Sequence, residues 1–343
     1  MHVNALLKSV SRSFYLSLRI LPRPVRPQVG LAYLLARAAD TIADTTLVAV
    51  DRRRAALARL RGAIRDAAEG GSAPGLELGE LSAALEGPVG RGTCGERTLL
   101  VRLPELLETL RREDRDDRRR IRDVLETITA GQERDLTRFG DSGPGEITAL
   151  GTRADLEQYT YQVAGCVGEF WTRMCLAKVC PGSALDEAQL LADAVEYGKG
   201  LQLINLLRDL AGDLRQGRCY LPQAELAEFG VRPQDLLEPA SIARVHTLLD
   251  GYIRHAGAQL SAGWRYVQRL PKNRARVRLA SAWPALIGAR TLALLGTHNV
   301  LDPEARLKVS RREVQGLVIR SILAYPFQPS WEKLFERVSS FSR

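Results

Sequence analysis

No stretch of this chain holds about 18 apolar residues in a row, so no segment reads as a membrane-spanning helix. Met1 to Val10 contain no long apolar core, and no secretory leader is expected. Cysteine is scarce: Cys94, Cys166, Cys175, Cys180 and Cys219 form an odd set whose spacings match no zinc or redox pattern. Four of them lie in apolar segments and read as small packing residues, in a reducing, cytoplasmic setting. Alternating apolar and polar residues are almost absent, which excludes a sheet-based fold. No G-x-G-x-x-G follows a strand-like run, which excludes a Rossmann nucleotide site. The four histidines are scattered and suggest no histidine-centred nucleophile. No internal repeat or low-complexity linker divides the chain.

What is present is apolar bulk and arginine. Apolar residues make up 45% of the 343, enough for a substantial core, and the helical period dominates throughout. One all-α domain over 1–343 is expected, as a monomer. The formal charge of +9 and pI near 9.6 would suit an anionic substrate, an anionic membrane surface or nucleic acid. Nucleic acid is the least attractive of the three: the excess is nearly all arginine, spread along helices beside acids, with no basic tail. The run RREDRDDRRRIRD (Arg111 to Asp123) is nearly balanced and reads as a solvated, salt-bridged face.

The period predicts helices over Asn4–Arg19, Val29–Thr45, Asp51–Glu69, Arg153–Cys180, Asp186–Leu214, Ala240–Leu270 and Ala275–Leu295, with Trp283-Pro284 kinking the last. Leu99–Phe139 reads as one or two long helices carrying Gln132 and Asp135. LPRPVRP (Leu21 to Pro27) is a turn, Phe139 to Gly151 a glycine-rich connection, and Gly217-Arg218 a loop closed by Tyr220-Leu221-Pro222. In the closing stretch Trp331, Leu334, Phe335 and Val338 share a face that would pack on the protein's own body. Resting on a membrane as a peripheral contact is the alternative.

Two of these helices carry acids in register. In QLINLLRDLAGDLRQGRCYLP, Gln202, Asn205, Asp209 and Asp213 fall on one face while Leu203, Ile204, Leu206, Leu207 and Leu210 occupy the others. Stacked carboxylates repel, and buried ones need a partner. A hard divalent cation with phosphate co-ligands, Mg²⁺ for choice, would answer both needs. A solvated face with Arg208 and Arg215 pairing the acids would do so too. In YLLARAADTIAD, Tyr33, Arg37, Asp40 and Asp44 again share a face. Two such helices suggest two walls facing across a cavity, with arginines as planar donors to phosphate oxygens.

RAADTIAD followed downstream by NLLRDLAGDLRQGRCYLP resembles the two acidic signatures of the squalene and phytoene synthase family. Ser11-Arg12-Ser13-Phe14 looks like that family's S-R-S-F, and YTYQVAGCVG (Tyr159 to Gly168) like its Y-x-x-x-V-A-G-x-V-G stretch. The four matches occur in the family's order and cover most of the chain. The resemblance implies the isoprenoid synthase fold, an all-helical bundle with a central active-site cavity. It also implies head-to-head joining of two farnesyl diphosphates to presqualene diphosphate, then reduction by NADPH to squalene. Tyr159 would be the base that closes the cyclopropane, with Arg208 and Asp209 also catalytic. Mg²⁺ would sit on Asp40, Asp44, Asn205, Asp209 and Asp213. Substrate would meet Ser11, Arg12, Ser13, Phe14, Tyr33, Arg37, Gln202 and Arg218, with Val163, Ala164 and Gly165 leaving room for a prenyl chain. NADPH would use Arg12, Arg37, Arg208, Lys308, Arg311 and Arg312. Phytoene, dehydrosqualene and presqualene diphosphate synthases are the sister readings without the reduction. Eukaryotic squalene synthases carry a C-terminal membrane anchor that this chain lacks, which suggests a bacterial source. Two departures stand out: Ala43 replaces the Glu of D-x-x-E-D, and Gly212 stands where squalene enzymes often carry Glu.

Overall fold

The helical period of the sequence becomes helix almost throughout. A computed structural model describes residues 3–10, 14–45, 47–71, 94–140, 142–143 and 145–339. The chain falls into two compact units, Met1–Gly140 with Arg173–Gly182, and Asp141–Thr172 with Ser183–Arg343.

The first unit contains α1 (Val3–Val10), α2 (Phe14–Ile20), α3 (Arg26–Asp44), α4 (Val50–Glu69), α5 (Cys94–Val101), α6 (Leu103–Arg112) and α7 (Arg115–Phe139). Helix α3 starts on Pro27, whose fixed φ suits a first turn. It buries Leu31, Leu34, Leu35, Ala38 and Ile42. Its end is tied down by Arg53 of α4, which donates to the Ala43 carbonyl at 2.8 Å. The Leu99–Phe139 region is three helices, not one or two. Pro104 opens α6, and Asp114 caps α7 by accepting from the Asp117 N–H at 2.9 Å. The arginine-rich run is salt-bridged as expected, Arg111 and Arg112 both reaching Glu108. It is not wholly solvated, however. Asp117 is fully buried and held by Lys178 at 2.6 Å and Arg120 at 2.9 Å.

The second unit contains β1 (Thr148–Leu150), α8 (Arg153–Thr160), a π-helical turn at Tyr161–Gly165, the start of α9 (Cys166–Lys178), α10 (Glu187–Arg215), β2 (Arg218–Pro222), α11 (Gln223–Glu228), α12 (Ile242–Arg269), α13 (Ala275–Leu295), α14 (Arg311–Ala324), α15 (Gln328–Glu332) and α16 (Leu334–Ser339). The expected single helix over 153–180 is thus interrupted by the π turn. The expected loop at 218–222 is a strand, paired in parallel with β1 through Thr148 opposite Arg218 and Ala149 opposite Cys219. Gly217 enters β2 at φ +83°, where a Cβ would lie 2.5 Å from the Gly143 carbonyl oxygen, so only glycine fits. Helix α10 is the axis of this unit. Its Gly198 lies against the Ala164 carbonyl, and its Ala194 carbonyl lies against Gly168. On another side its Tyr197 packs on Gly263 of α12, and its hydroxyl donates to the Ser281 carbonyl at 2.8 Å.

Cys166, Cys175, Cys180 and Cys219 are buried thiols, as their apolar settings predict. Burial pushes the Cys166 and Cys219 thiols up to about 12, which makes them inert packing residues. Trp331, Leu334 and Val338 pack inward, and Phe335 stacks on Trp264 at 5.5 Å. Among the described residues no helix is long and apolar enough to cross a membrane.

Candidate active site

In the first unit, α3 presents Tyr33, Arg37, Asp40 and Asp44 on successive turns. Tyr33 donates to the Val10 carbonyl at 3.3 Å, tying α1 to α3. Arg37 pairs with Glu96 of α5 at 2.5 Å and lies 3.9 Å from Asp40. Gln132 of α7 donates its amide to Asp40, while its own amide oxygen is buried without a partner. The Asp40 side chain keeps 44% of its surface open, yet its carboxyl is raised from 3.8 to about 6. Burial is the largest cause, and the Asp44 charge one turn on adds to it; Arg37 and Gln132 oppose them. Asp44 is exposed.

In the second unit, one face of α10 carries Gln202, Asn205, Asp209 and Asp213, all half-buried. Gln202 donates to the Tyr159 hydroxyl at 3.5 Å, and the Tyr159 ring lies 4.7 Å from Tyr220 of β2. One turn on, Arg208 donates to Asn205 Oδ1 at 2.8 Å and to both oxygens of Asp209, one at 2.9 Å. The pairing of Arg208 with Asp209, allowed for in the sequence, is therefore made. Arg215 instead donates to its own helix at the Ala211 carbonyl. Arg218 lies half-buried in β2, two residues before Tyr220.

A charged network surrounds Glu157, two residues before Tyr159 on α8. Burial works against the Glu157 charge, but Lys199 at 2.6 Å, then His255 and Arg153, outweigh it and hold this carboxyl below its usual range. Lys199 also reaches Glu196 at 2.8 Å, and Glu196 accepts from Gln259 of α12 at 3.0 Å. The π turn holds Val163, Ala164 and Gly165. Gly165 is buried against α10, where a Cβ would meet the Lys199 side chain at 3.2 Å, so close helix packing accounts for this glycine.

Ser11, Arg12 and Ser13 lie outside the described residues, and of Phe14 only the helical backbone is described. Lys308, Arg311 and Arg312 are exposed, the two arginines in the first turn of α14. Ser310 caps that turn, accepting from the Glu313 N–H at 3.2 Å. Both departures have a local setting. Ala43 is only 8% exposed, on the packed side of α3, where a Glu would bury its charge. Gly212 is exposed, and a Cβ there would meet nothing within 4 Å. Its missing Glu is not a matter of space.

Sequence reasoning missed Glu96 as the partner of Arg37 and Tyr220 as the partner of Tyr159. Neither has a local signal, since both partners come from distant segments.

Among the described residues no three His, Cys, Asp or Glu side chains converge into a metal cage. The donors come as pairs of hard oxygens. Mg²⁺ is commonly held by one or two carboxylates together with substrate phosphates. Asp40, disfavoured as an anion beside Asp44, and the orphaned Gln132 oxygen next to it suit such a cation.

The model for the squalene/phytoene synthase family matches residues 7–313. A presqualene diphosphate synthase of Rhodopseudomonas palustris is 27% identical over 306 residues, covering 88% of this chain and 90% of its own length. A phytoene synthase of Thermus thermophilus is 32% identical over 189 residues, 55% of this chain and 60% of the relative. A bifunctional lycopene cyclase/phytoene synthase of Pyrenophora tritici-repentis is 28% identical over 285 residues, 80% of this chain; the chain spans only 43% of that relative. Among solved structures, TcSQS in complex with a ligand superposes with a TM-score of 0.74 at 20% identity, over 99% of this chain and 98% of that one. A dehydrosqualene synthase gives 0.66 at 22% identity, over 95% of each. At these identities the superpositions establish the fold.

Proposed function

Because the chain belongs to the squalene/phytoene synthase family, we propose that it joins two prenyl diphosphates head to head, with farnesyl diphosphate as substrate and presqualene diphosphate as first product. The observation that carries this reading is the face of α10. Gln202 donates to a tyrosine hydroxyl, and one to two turns further Asn205 and Asp209 carry oxygens suited to a cation, now held by Arg208, itself a phosphate donor. Loss of an allylic diphosphate needs charge stabilisation at the leaving group and a base for the proton lost on ring closure. The α10 face supplies the first, and Tyr159 of α8, hydrogen-bonded to Gln202 of that face, supplies the second.

Asp40 and Asp44 on α3 would hold Mg²⁺ in the first unit, and Asn205, Asp209 and Asp213 on α10 would hold it in the second. When bound, the ion supplies positive charge to the departing diphosphate. The chain's own share is separate. Arg37, Arg208 and Arg218 donate to phosphate oxygens. Val163 and Ala164 border the prenyl chain. Tyr159 accepts the proton lost from the joined chains on its oxygen, as its own proton passes to a diphosphate oxygen. Gln202, donating to that hydroxyl, fixes its direction.

NADPH reduction to squalene is the further step we propose, with Lys308, Arg311 and Arg312 taking the cofactor's phosphates. A second reading stops at presqualene diphosphate; it is favoured by the relative of that name, which aligns over nearly its whole length. Incubation of the chain with farnesyl diphosphate and Mg²⁺, with and without NADPH, and mass identification of products separates them. Squalene formed only with NADPH supports the full reaction. Presqualene diphosphate under both conditions supports the shorter one. Turnover of geranylgeranyl diphosphate alone would overturn the choice of substrate in favour of a phytoene synthase.

A further inference from the structure

We propose that the outer face of α14 and the segment running to Phe327 dock this protein on an anionic lipid bilayer. Seven large apolar side chains are exposed among the described residues, and four of them fall within 319–327: Ile319 at 56%, Ile322 at 47%, Leu323 at 67% and Phe327 at 65%. Scattered singly such residues need no explanation, but a cluster does. At 3.6 residues per turn Arg311, Arg312, Gln315, Ile319, Ile322 and Leu323 share one face of α14, basic at its start and apolar at its end.

The face is firmly mounted. The opposite side of α14 buries Leu317 and Ser321, and Ser321 accepts from the Trp283 indole at 2.9 Å. Beneath the segment, Trp331 is fully buried, packs edge-on against Tyr325 at 5.0 Å, and donates to Gln268 at 3.1 Å. The exposed apolar side chains therefore stand on an ordered platform.

Charge decides the occupant. Between 311 and 339 five basic residues (Arg311, Arg312, Arg320, Lys333 and Arg337) stand against three acids, and two of the acids are engaged. Glu313 pairs with Arg290 at 3.1 Å, and Glu332 accepts from Gln328. Arg311, Arg312, Arg320 and Lys333 make no ion pair among the described residues. A groove of about 630 Å³ lies between Leu323, Phe327, Leu334 and Val338, and Arg320 and Arg337 also line it. Apolar side chains beside planar donors suit acyl chains beneath phosphate headgroups. A second copy of the chain would bring the same arginines against one another, because a twofold interface meets its own patch. The inference holds for either choice of prenyl substrate, and Arg320 and Lys333, which take no part in the cofactor reading, carry its charge.

The test is flotation of the full chain with vesicles of phosphatidylcholine alone or mixed with phosphatidylglycerol, at low and high salt. The wild-type chain should float with the mixed vesicles, and salt should weaken it. Leu323→Ser with Phe327→Ser should lower binding at least about tenfold. Arg320→Gln with Lys333→Gln should lower it and flatten the salt dependence. Circular dichroism and thermal midpoint should stay unchanged in both variants. The proposal is overturned by absent flotation, by equal flotation on neutral vesicles, or by variants that bind like wild type. It is also overturned if sedimentation shows self-association that the apolar variant abolishes while vesicle binding is unmoved.

Discussion

Gln132 donates its amide hydrogen to Asp40 while its own oxygen stays buried and unpartnered, so α7 holds the carboxylate of α3 in place but does not neutralise it. Burial and the neighbouring Asp44 then set the carboxyl at about 6. A raised acid favours the fold when protonated. That contribution is present below its ordinary value of 3.8 and is lost as pH rises through about 6. Asp40→Asn should therefore raise the thermal midpoint of the cation-free protein above pH 6 and leave it unchanged at strongly acid pH. Mg²⁺ should stabilise the wild type above pH 6 and stabilise this variant much less. Thermal melts across pH, with and without Mg²⁺, check both signs.

Arg208 occupies both oxygens of Asp209 and the oxygen of Asn205, the atoms a cation would take. Arg208→Ala should bind Mg²⁺ more tightly than wild type in the absence of substrate, because a competitor is gone. The same variant should turn over more slowly by on the order of 10²-fold, because a phosphate donor is gone. Calorimetric Mg²⁺ titration and steady-state kinetics on one preparation should move in opposite directions.

Tyr159→Phe removes the oxygen that handles the proton and should lower kcat by on the order of 10²-fold or more. Gln202→Leu leaves that oxygen in place but removes the amide that donates to it, with an expected loss of about tenfold. Both should leave KM for the prenyl diphosphate within a few-fold of wild type. A large KM change with kcat intact would assign these residues to binding alone.

Gly198→Ala would drive a methyl into the Ala164 carbonyl at the π turn. Overpacking against backbone costs about 2 kcal/mol or more, and the thermal midpoint should fall by on the order of 5 °C. Gly212→Ala, with nothing within 4 Å and an ordinary helical backbone, should not lower it and should raise it slightly.

Much of this was legible in the chain. The acid-bearing faces of α3 and α10 follow from spacing alone, as does the face shared by Trp331, Leu334 and Val338, which the structure turns inward. What depends on distant partners was not. β2 exists because RCYLP pairs with Thr148 and Ala149, a contact no local pattern announces. Asp117 lies in a charged run and read as solvated; its burial is set by Lys178 from another segment. Helix α14 is apolar on two faces. Periodicity alone could not tell that Leu317 would be covered while Ile319 and Leu323 would not.

The most direct measurement is pyrophosphate release from farnesyl diphosphate with Mg²⁺ and no NADPH, comparing wild type with Asp40→Asn and Asp209→Asn. One pyrophosphate per joined pair is expected from the wild type, with the rate in either variant reduced by at least about 10²-fold. Release at the wild-type rate from both variants, or no release from any prenyl diphosphate, would contradict the assignment of these acids to diphosphate departure.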